Sequence, residues 1–205
     1  MKITLLGDSI RRQYAPRVIE LLGERFEVFQ PSENCRYAKH TLRGLFDWAG
    51  DMEGSEIVHW NNGLWDFCDL YGDGPFTSEE EYVENMLRIA RLLQTKHRCV
   101  IFATTTPVRD ANKYQKNVRI DRYNAVIVPE LAKMGIIIND LNALLRDDIE
   151  KYICEDNIHL TEAGIELCAL QTAKYIAAAK DRLPDAEQSD LPAWGNLGDG
   201  APVII

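Results

Sequence analysis

The feature that most constrains the fold of this chain is a regular alternation of short apolar runs with longer amphipathic stretches. The apolar runs predict five β-strands, at residues 3–6, 27–29, 57–60, 99–103 and 136–138. The amphipathic stretches predict helices at about residues 15–22, 78–97, 117–133 and 162–179. Because such alternation is typical of parallel sheets covered on both faces, the sequence predicts a three-layer α/β protein with a five-stranded parallel sheet.

Local signals fix several of the predicted helix ends. Pro16 suits a first helical position, so we expect the first helix to begin near residue 15. Ser78 followed by Glu81 is a capping box, and Thr161 is a favourable cap for the last helix. Pro129 is expected to kink or divide the helix over 117–133, because proline removes one hydrogen bond of a helix.

The 205 residues are predicted to form one domain over 1–183, followed by a short tail. Apolar residues make up 46% of the chain and charged residues 27%, which is ordinary for a soluble globular protein. From Pro184 the composition shifts to proline, glycine, aspartate and alanine. Residues 184–205 are therefore predicted to be a tail that packs on the domain or trails from it.

Charge and cysteine usage narrow the class of protein further. A net charge of -9 argues against nucleic acid and against an anionic membrane surface as partners. We find no secretory signal and no apolar run long enough to cross a membrane. The five cysteines are odd in number and lack paired spacing, so we expect reduced thiols, a cytoplasmic location and no structural metal.

Two short motifs at opposite ends of the chain carry the chemistry. Ser9 directly follows the first predicted strand, and Asp156 and His159 lie on one turn before the last predicted helix. Serine, histidine and aspartate are the components of an activated hydroxyl nucleophile: the imidazole takes the serine proton and the carboxylate orients the imidazole. Ligands of parallel sheets bind beyond the carboxyl ends of the strands, where Ser9 and Asn61 are expected.

The chain resembles the SGNH (GDSL-type) hydrolase family over roughly residues 2–180. The resemblance rests on three motifs in a fixed order: Gly7-Asp8-Ser9-Ile10 after the first strand, Asn61-Asn62-Gly63-Leu64-Trp65-Asp66 after the third, and Asp156-Asn157-Ile158-His159 before the last helix. Within that family, Asn61-Asn62-Gly63-Leu64-Trp65 and Arg12-Gln13 are most similar to the branch of PC-esterases and polysaccharide O-acetyltransferases. The resemblance implies a flavodoxin-like fold with no cofactor. It also implies that Ser9 is the nucleophile, His159 the general base and then acid, and Asp156 the residue that orients the imidazole.

The resemblance also implies an oxyanion hole, and here the chain departs from the common family pattern. Trp65 stands where the asparagine of a Gly-x-Asn-Asp block is expected. The side-chain donor must then be Asn61 or Asn62, of which we prefer Asn61. The Ser9 N–H is the second expected donor, and the N–H of Cys35, or alternatively of Arg36, is the third.

The function implied is a serine esterase that cleaves a small acyl group, such as acetyl, from a small-molecule or carbohydrate ester. Two alternatives stay open. An O-acyltransferase uses the same triad, and a noncatalytic ligand-binding module could retain the same fold. The intact Ser9, Asp156 and His159 favour an enzyme.

For several polar residues the sequence allows a structural as well as a functional interpretation. Arg11, Arg12 and Arg36 could bind a substrate anion or be solvated or ion-paired. The remaining histidines are expected to be structural or exposed; they are His40, His59 and His97.

Overall fold

The computed structural model describes residues 1–183, so the predicted tail over 184–205 lies outside the described residues. The strands are β1 (Lys2–Leu6), β2 (Glu27–Phe29), β3 (Ser55–Trp60), β4 (Cys99–Ala103) and β5 (Ile137–Asn139). The helices are α1 (Ser9–Leu22), α2 (Ala38–Asp47), α3 (Ala49–Met52), α4 (Glu79–Lys96), α5 (Asn117–Lys133), α6 (Leu141–Arg146), α7 (Ile149–Tyr152) and α8 (Glu162–Arg182).

The five strands form one parallel sheet in the order β2-β1-β3-β4-β5. Leu6 pairs with Trp60, and Trp60 pairs with Phe102, so β1, β3 and β4 end at the same level. The residues that follow these three strands are therefore brought to one edge of the sheet, as the sequence predicted.

Helices cover both faces of this sheet. On one side α1 packs against α8, which also contacts β3, β4 and β5. The other layer is built around α4, which contacts α2, α5 and β4. This arrangement follows from right-handed crossovers between parallel strands: a crossover to β2 and one to β4 run in opposite directions across the sheet. The predicted three-layer α/β fold with a five-stranded parallel sheet is confirmed.

The start of α1 differs from the prediction. The helix begins at Ser9 and not near residue 15, because the Asp8 side chain caps it. Pro16 lies inside the helix on an exposed position. Its missing N–H costs only the bond to the carbonyl of Arg12, which is exposed and open to water.

Two further differences concern helices. Pro129 does not divide α5, which runs without a break from Asn117 to Lys133. The helices α2, α3, α6 and α7 were not predicted from the sequence pattern. For α2 the reason is clear: its N-cap, Tyr37, makes no side-chain capping bond. The N–H of its first residue, Ala38, is instead accepted by Asp66, 28 residues after Ala38 in the chain.

Candidate active site

Ser9 is the first residue of α1 and lies just beyond the carboxyl end of β1. The buried Asp8 carboxylate accepts the Ile10 N–H at 3.0 Å and so starts the helix at Ser9. Gly7 has a φ of 157°, and a Cβ there would overlap the Asn61 side-chain oxygen, so only glycine fits. N–H groups in the first turn of a helix lack a backbone acceptor within it, and the only acidic side chain at the start of α1 is that of the N-cap, Asp8. The position of Ser9 therefore favours negative charge.

Ser9, His159 and Asp156 form a continuous line of polar contacts. Ser9 Oγ lies 3.0 Å from His159 Nε2, and His159 Nδ1 lies 2.7 Å from Asp156 Oδ2. An imidazole protonated on Nδ1 donates to Asp156 and leaves Nε2 to accept the serine hydroxyl. The side chains of His159 and Asp156 are 37% and 50% exposed, so the line opens directly to solvent.

The Asp156 carboxylate is held by its own turn. Its Oδ1 accepts the backbone N–H of His159 at 2.9 Å and that of Ile158 at 3.0 Å. Partial burial raises the pKa of Asp156, but these two hydrogen bonds and the one from the His159 ring outweigh it. The net pKa lies below the usual value for an aspartate, so the group is ionised at neutral pH and available to orient the imidazole.

A loop after β4 supports this turn from the other side. Asn157, between the two triad residues, has a left-handed φ of 72°. Its carbonyl accepts the Arg109 N–H at 3.2 Å and the Asn112 side-chain amide at 3.2 Å. The Arg109 side chain also donates to the Ile153 carbonyl at 2.7 Å. The sequence did not reveal these supporting residues, because bonds from a loop to backbone carbonyls leave no motif.

The two adjacent asparagines after β3 occupy different environments. Asn62 is fully buried: its Oδ1 accepts the Trp60 indole N–H at 2.7 Å, and its Nδ2 donates to the Arg36 carbonyl at 2.9 Å. The Asn61 amide lies against Gly7 and the Asp8 carboxyl, directly before Ser9. Asn62 is thus committed to the core, whereas Asn61 lies beside the two residues that precede Ser9.

The two backbone donors expected after β2 are already engaged. The Cys35 N–H donates to the Gly7 carbonyl at 3.1 Å, and the Arg36 N–H donates to Asn34 Oδ1 at 2.7 Å. Neither has a hydrogen left for an oxyanion in this arrangement, so the structure does not provide the third donor at Cys35. The Cys35 side chain is fully buried, and its Sγ accepts the Gly7 N–H at 3.2 Å.

Arg11 links the segment after β2 to Gly7, two residues before Ser9, through hydrogen bonds. The side chain is 1% exposed, and its guanidinium donates to the carbonyls of Gly7 and Glu33 at 3.2 Å each and to Gln30 Oε1 at 2.7 Å. Arg11 therefore has a structural role here, whereas Arg12 is exposed. Both residues line a cavity of about 330 Å³ beside this segment.

A second buried carboxylate, Asp66, lies in the loop after β3. Both of its oxygens accept the Ala38 N–H at 3.1 Å, at the start of α2. Burial raises the pKa of Asp66 to about 7, against the opposing effect of hydrogen bonds from Ala38 and Thr77. Burial likewise raises the pKa of Asp8, and the Asn61 amide and the Ile10 N–H oppose the rise. The loops around Ser9 therefore rest on two carboxyl groups with perturbed ionisation.

Over residues 1–183 no group of three or more histidine, cysteine or acidic side chains could hold a metal ion. All five cysteines are free. None of the helices in the described part of the chain is long and apolar enough to cross a membrane.

Solved structures of several esterases and acylhydrolases have a fold similar to that of this chain. A lipase/acylhydrolase from Enterococcus faecalis is similar with a TM-score of 0.73 and 16% identity, over 87% of this chain and 96% of that chain. The acetyl xylan esterase AlAXEase is similar with a TM-score of 0.71 and 18% identity, over 86% of this chain and 100% of that chain. Axe2, an acetylxylan esterase from Geobacillus stearothermophilus, is similar with a TM-score of 0.70 and 16% identity, over 85% of this chain and 93% of that chain.

No family model matches the chain, and no curated protein matches its sequence. At this level of identity the structural likeness shows the fold alone, which this chain shares with these acylhydrolases and esterases.

Proposed function

We propose that this protein is a serine esterase that cleaves small acyl esters through a covalent acyl-enzyme. The observation that carries the proposal is the line from Ser9 Oγ through the His159 imidazole to Asp156, at the amino end of a helix. The shared fold with acylhydrolases and esterases supports it.

In the first half-reaction, Ser9 Oγ attacks the ester carbonyl while its proton passes to His159 Nε2. The imidazolium is stabilised by Asp156, which stays ionised. When the tetrahedral intermediate collapses, the bond to the leaving alcohol breaks and the proton moves from Nε2 to the alcohol oxygen. The acyl group is left on Ser9 Oγ.

The developing oxyanion needs donors that are already in place. We assign this role to the Ser9 N–H, in the first turn of α1, and to one N–H of the Asn61 amide. A carboxamide nitrogen carries two hydrogens, so one can face Asp8 while the other faces the oxyanion. A water then attacks the acyl-enzyme while Nε2 accepts its proton. When the second tetrahedral intermediate collapses, the bond between the acyl group and Ser9 Oγ breaks, the proton returns from Nε2 to Oγ, and the acid is released.

We further propose an acetylated carbohydrate as the substrate class. Two of the compared structures are acetyl xylan esterases. Large exposed aromatic side chains also lie on the loops that follow β3 and β4, at the same edge of the sheet as Ser9. They are Trp65, Tyr71, Phe76 and Tyr114. Flat aromatic side chains on these loops suit a sugar ring better than a long acyl chain.

Hydrolysis of p-nitrophenyl acetate tests the reaction. Ser9→Ala should lower turnover by at least about three orders of magnitude. Ser78→Ala is a matched control, because this exposed serine caps α4. Its loss should lower the free energy of unfolding by about 1 kcal/mol and leave turnover unchanged. Mass spectrometry of the acid-quenched wild type should find an acetyl group on Ser9.

Full turnover in a folded Ser9→Ala variant would refute the proposal, and a wild type inert toward every activated ester would favour a binding module. Acetylated xylo-oligosaccharides and long-chain esters, compared by kcat/KM, test the substrate class. A preference for long chains would contradict it.

A further inference from the structure

Gln13 joins α1 to the segment that carries the catalytic histidine. Its Oε1 accepts the Leu160 N–H at 2.9 Å, and its Nε2 donates to the Leu160 carbonyl at 3.3 Å. One side-chain amide thus pairs with both backbone groups of the residue that directly follows His159. These contacts connect positions 147 residues apart in the chain.

The position of Gln13 on α1 relates these bonds to the nucleophile. Ser9 and Gln13 are four residues apart on the same helix and therefore share a face. Ser9 meets His159 and Gln13 meets Leu160, so two successive turns of α1 contact two successive residues of the catalytic segment. A fixed Gln13–Leu160 pair constrains how far His159 Nε2 can move from Ser9 Oγ.

The other bonds of this segment do not provide that constraint. The Cys154 N–H donates to the His159 carbonyl at 2.7 Å, and the Thr161 N–H donates to the Tyr152 carbonyl at 2.9 Å. Both join the segment to itself. Arg109 and Asn112 attach it to the loop after β4, not to α1.

We infer that Gln13 is a positioning residue, which sets the distance between the nucleophile and its general base. The inference rests on the proposed esterase function. Leu160 is 2% exposed, so without Gln13 its N–H would be left buried without an acceptor, and the segment would have to shift to reach water. A displacement of about 1 Å in such a pair can cost about a hundredfold in rate.

The test is Gln13→Met, which keeps the length of the side chain and removes both hydrogen bonds. With p-nitrophenyl acetate we expect kcat to fall by about 10- to 100-fold, with KM changed by less than about threefold, because both polar groups of the Gln13 side chain are already bonded to Leu160. Amide hydrogen exchange at Leu160 should become faster. Gln13→Glu keeps an acceptor for the Leu160 N–H and should restore part of kcat.

Two controls separate positioning from general destabilisation. Gln94→Met makes the same substitution on α4, where Gln94 Nε2 donates to the Met134 carbonyl at 2.7 Å, away from the catalytic line. Arg17→Met removes the ion pair with Glu166, one turn beyond Gln13 on the same face of α1. Both should retain the kcat of the wild type.

Wild-type kcat in Gln13→Met would overturn the inference, and so would an equal loss of kcat in Arg17→Met. If Gln13→Met does not fold, Gln13→Glu decides: a kcat equal to that of the wild type would then overturn the inference, and a reduced kcat with an unchanged KM would support it. Failure of the esterase proposal is seen separately, as turnover in the wild type that does not depend on Ser9.

Discussion

Asn61 and Asn62 show how neighbouring residues of one type are given different tasks. Adjacent residues at the end of a strand point in opposite directions. Asn62 turns into the core, where Trp60 and Arg36 use its side chain, while Asn61 turns toward the Gly7–Asp8–Ser9 segment. The direction of each asparagine is set by β3, because the buried Trp60 at its end needs the Asn62 side chain as the acceptor for its indole N–H.

The first prediction separates these two roles. Asn61→Ala should lower kcat by about two to three orders of magnitude with a smaller effect on KM, because the charge it meets exists mainly in the transition state. Asn62→Ala should mainly reduce stability, because the buried Trp60 indole N–H would be left without an acceptor and the Arg36 carbonyl would lose its donor. Steady-state kinetics and urea unfolding of both variants measure the two effects. The assignment fails if Asn62→Ala alone loses kcat.

A second prediction concerns the orientation of the imidazole. The Asp156 carboxylate accepts hydrogen bonds on both oxygens, whereas the amide of Asp156→Asn has only one oxygen and carries no charge to stabilise the imidazolium. We expect kcat to fall by about 10⁴-fold, the scale known for this change in serine proteases. Glu155→Gln, at the exposed neighbouring position, is the control and should keep full turnover. A fall of less than about tenfold in Asp156→Asn would exclude this role.

At the scale of elements, what could be predicted depended on whether the signal was local. The strands were recovered because a buried strand is a continuous apolar run in the sequence. The start of α1 was missed because Pro16 is a strong start signal, whereas the actual cap is Asp8, seven residues earlier than the predicted start. Helix α2 was missed because its cap, Asp66, comes from another loop.

For the candidate site, too, the residues that could be predicted are those with a local sequence signal. Ser9, Asp156 and His159 are visible in the sequence because each lies in a short motif next to a predicted element. The Cys35 donor could not be judged from the sequence. Whether a backbone N–H is free depends on the path of the whole segment after β2, which Arg11 and the Gly7 carbonyl determine.

The catalytic turn provides the third prediction, at the scale of the element. Asn157 adopts a left-handed conformation that β-branched residues avoid. Asn157→Val should lower the free energy of unfolding by about 1–2 kcal/mol and should also reduce kcat, because Asp156 and His159 flank the strained residue. Asn157→Gly is the matched control and should keep the turnover of the wild type, since glycine adopts this conformation freely. Equal kinetics for the two variants would show that the turn does not transmit the strain to the triad.

At the scale of the whole molecule, several ionisable groups lie in the folded interior. Burial lowers the pKa of His59 to about 3 and that of His97 to about 4, and it raises the pKa of Asp66 to about 7. Buried histidines destabilise the fold as the pH falls below their unfolded pKa of 6.5, because the unfolded chain then binds more protons. Asp66 acts in the opposite sense, because its contribution to stability falls as the pH rises from 3.8 to about 7.

Asp66 supplies the last prediction, because its effect can be isolated by one isosteric change. Between the unfolded pKa of 3.8 and the folded value of about 7, the folded protein binds the Asp66 proton more tightly than the unfolded chain does. Stability from this group is therefore fully present below 3.8 and is lost as the pH rises to about 7, by a total of about 4 kcal/mol. Asp66→Asn cannot ionise, and its side-chain oxygen can still accept the Ala38 N–H at the start of α2.

The free energy of unfolding of Asp66→Asn, measured in urea from pH 4 to 8, should therefore rise relative to that of the wild type as the pH increases. Glu84→Gln removes an exposed carboxylate from α4 and should show no such trend. The slope between pH 4 and 7 is the decisive quantity: a difference between Asp66→Asn and the wild type that stays constant, or that shrinks as the pH rises, would mean that Asp66 is not held protonated by the fold. A growing difference would mean that the fold holds Asp66 protonated up to about pH 7, because burial disfavours its charge more than the Ala38 and Thr77 hydrogen bonds stabilise it.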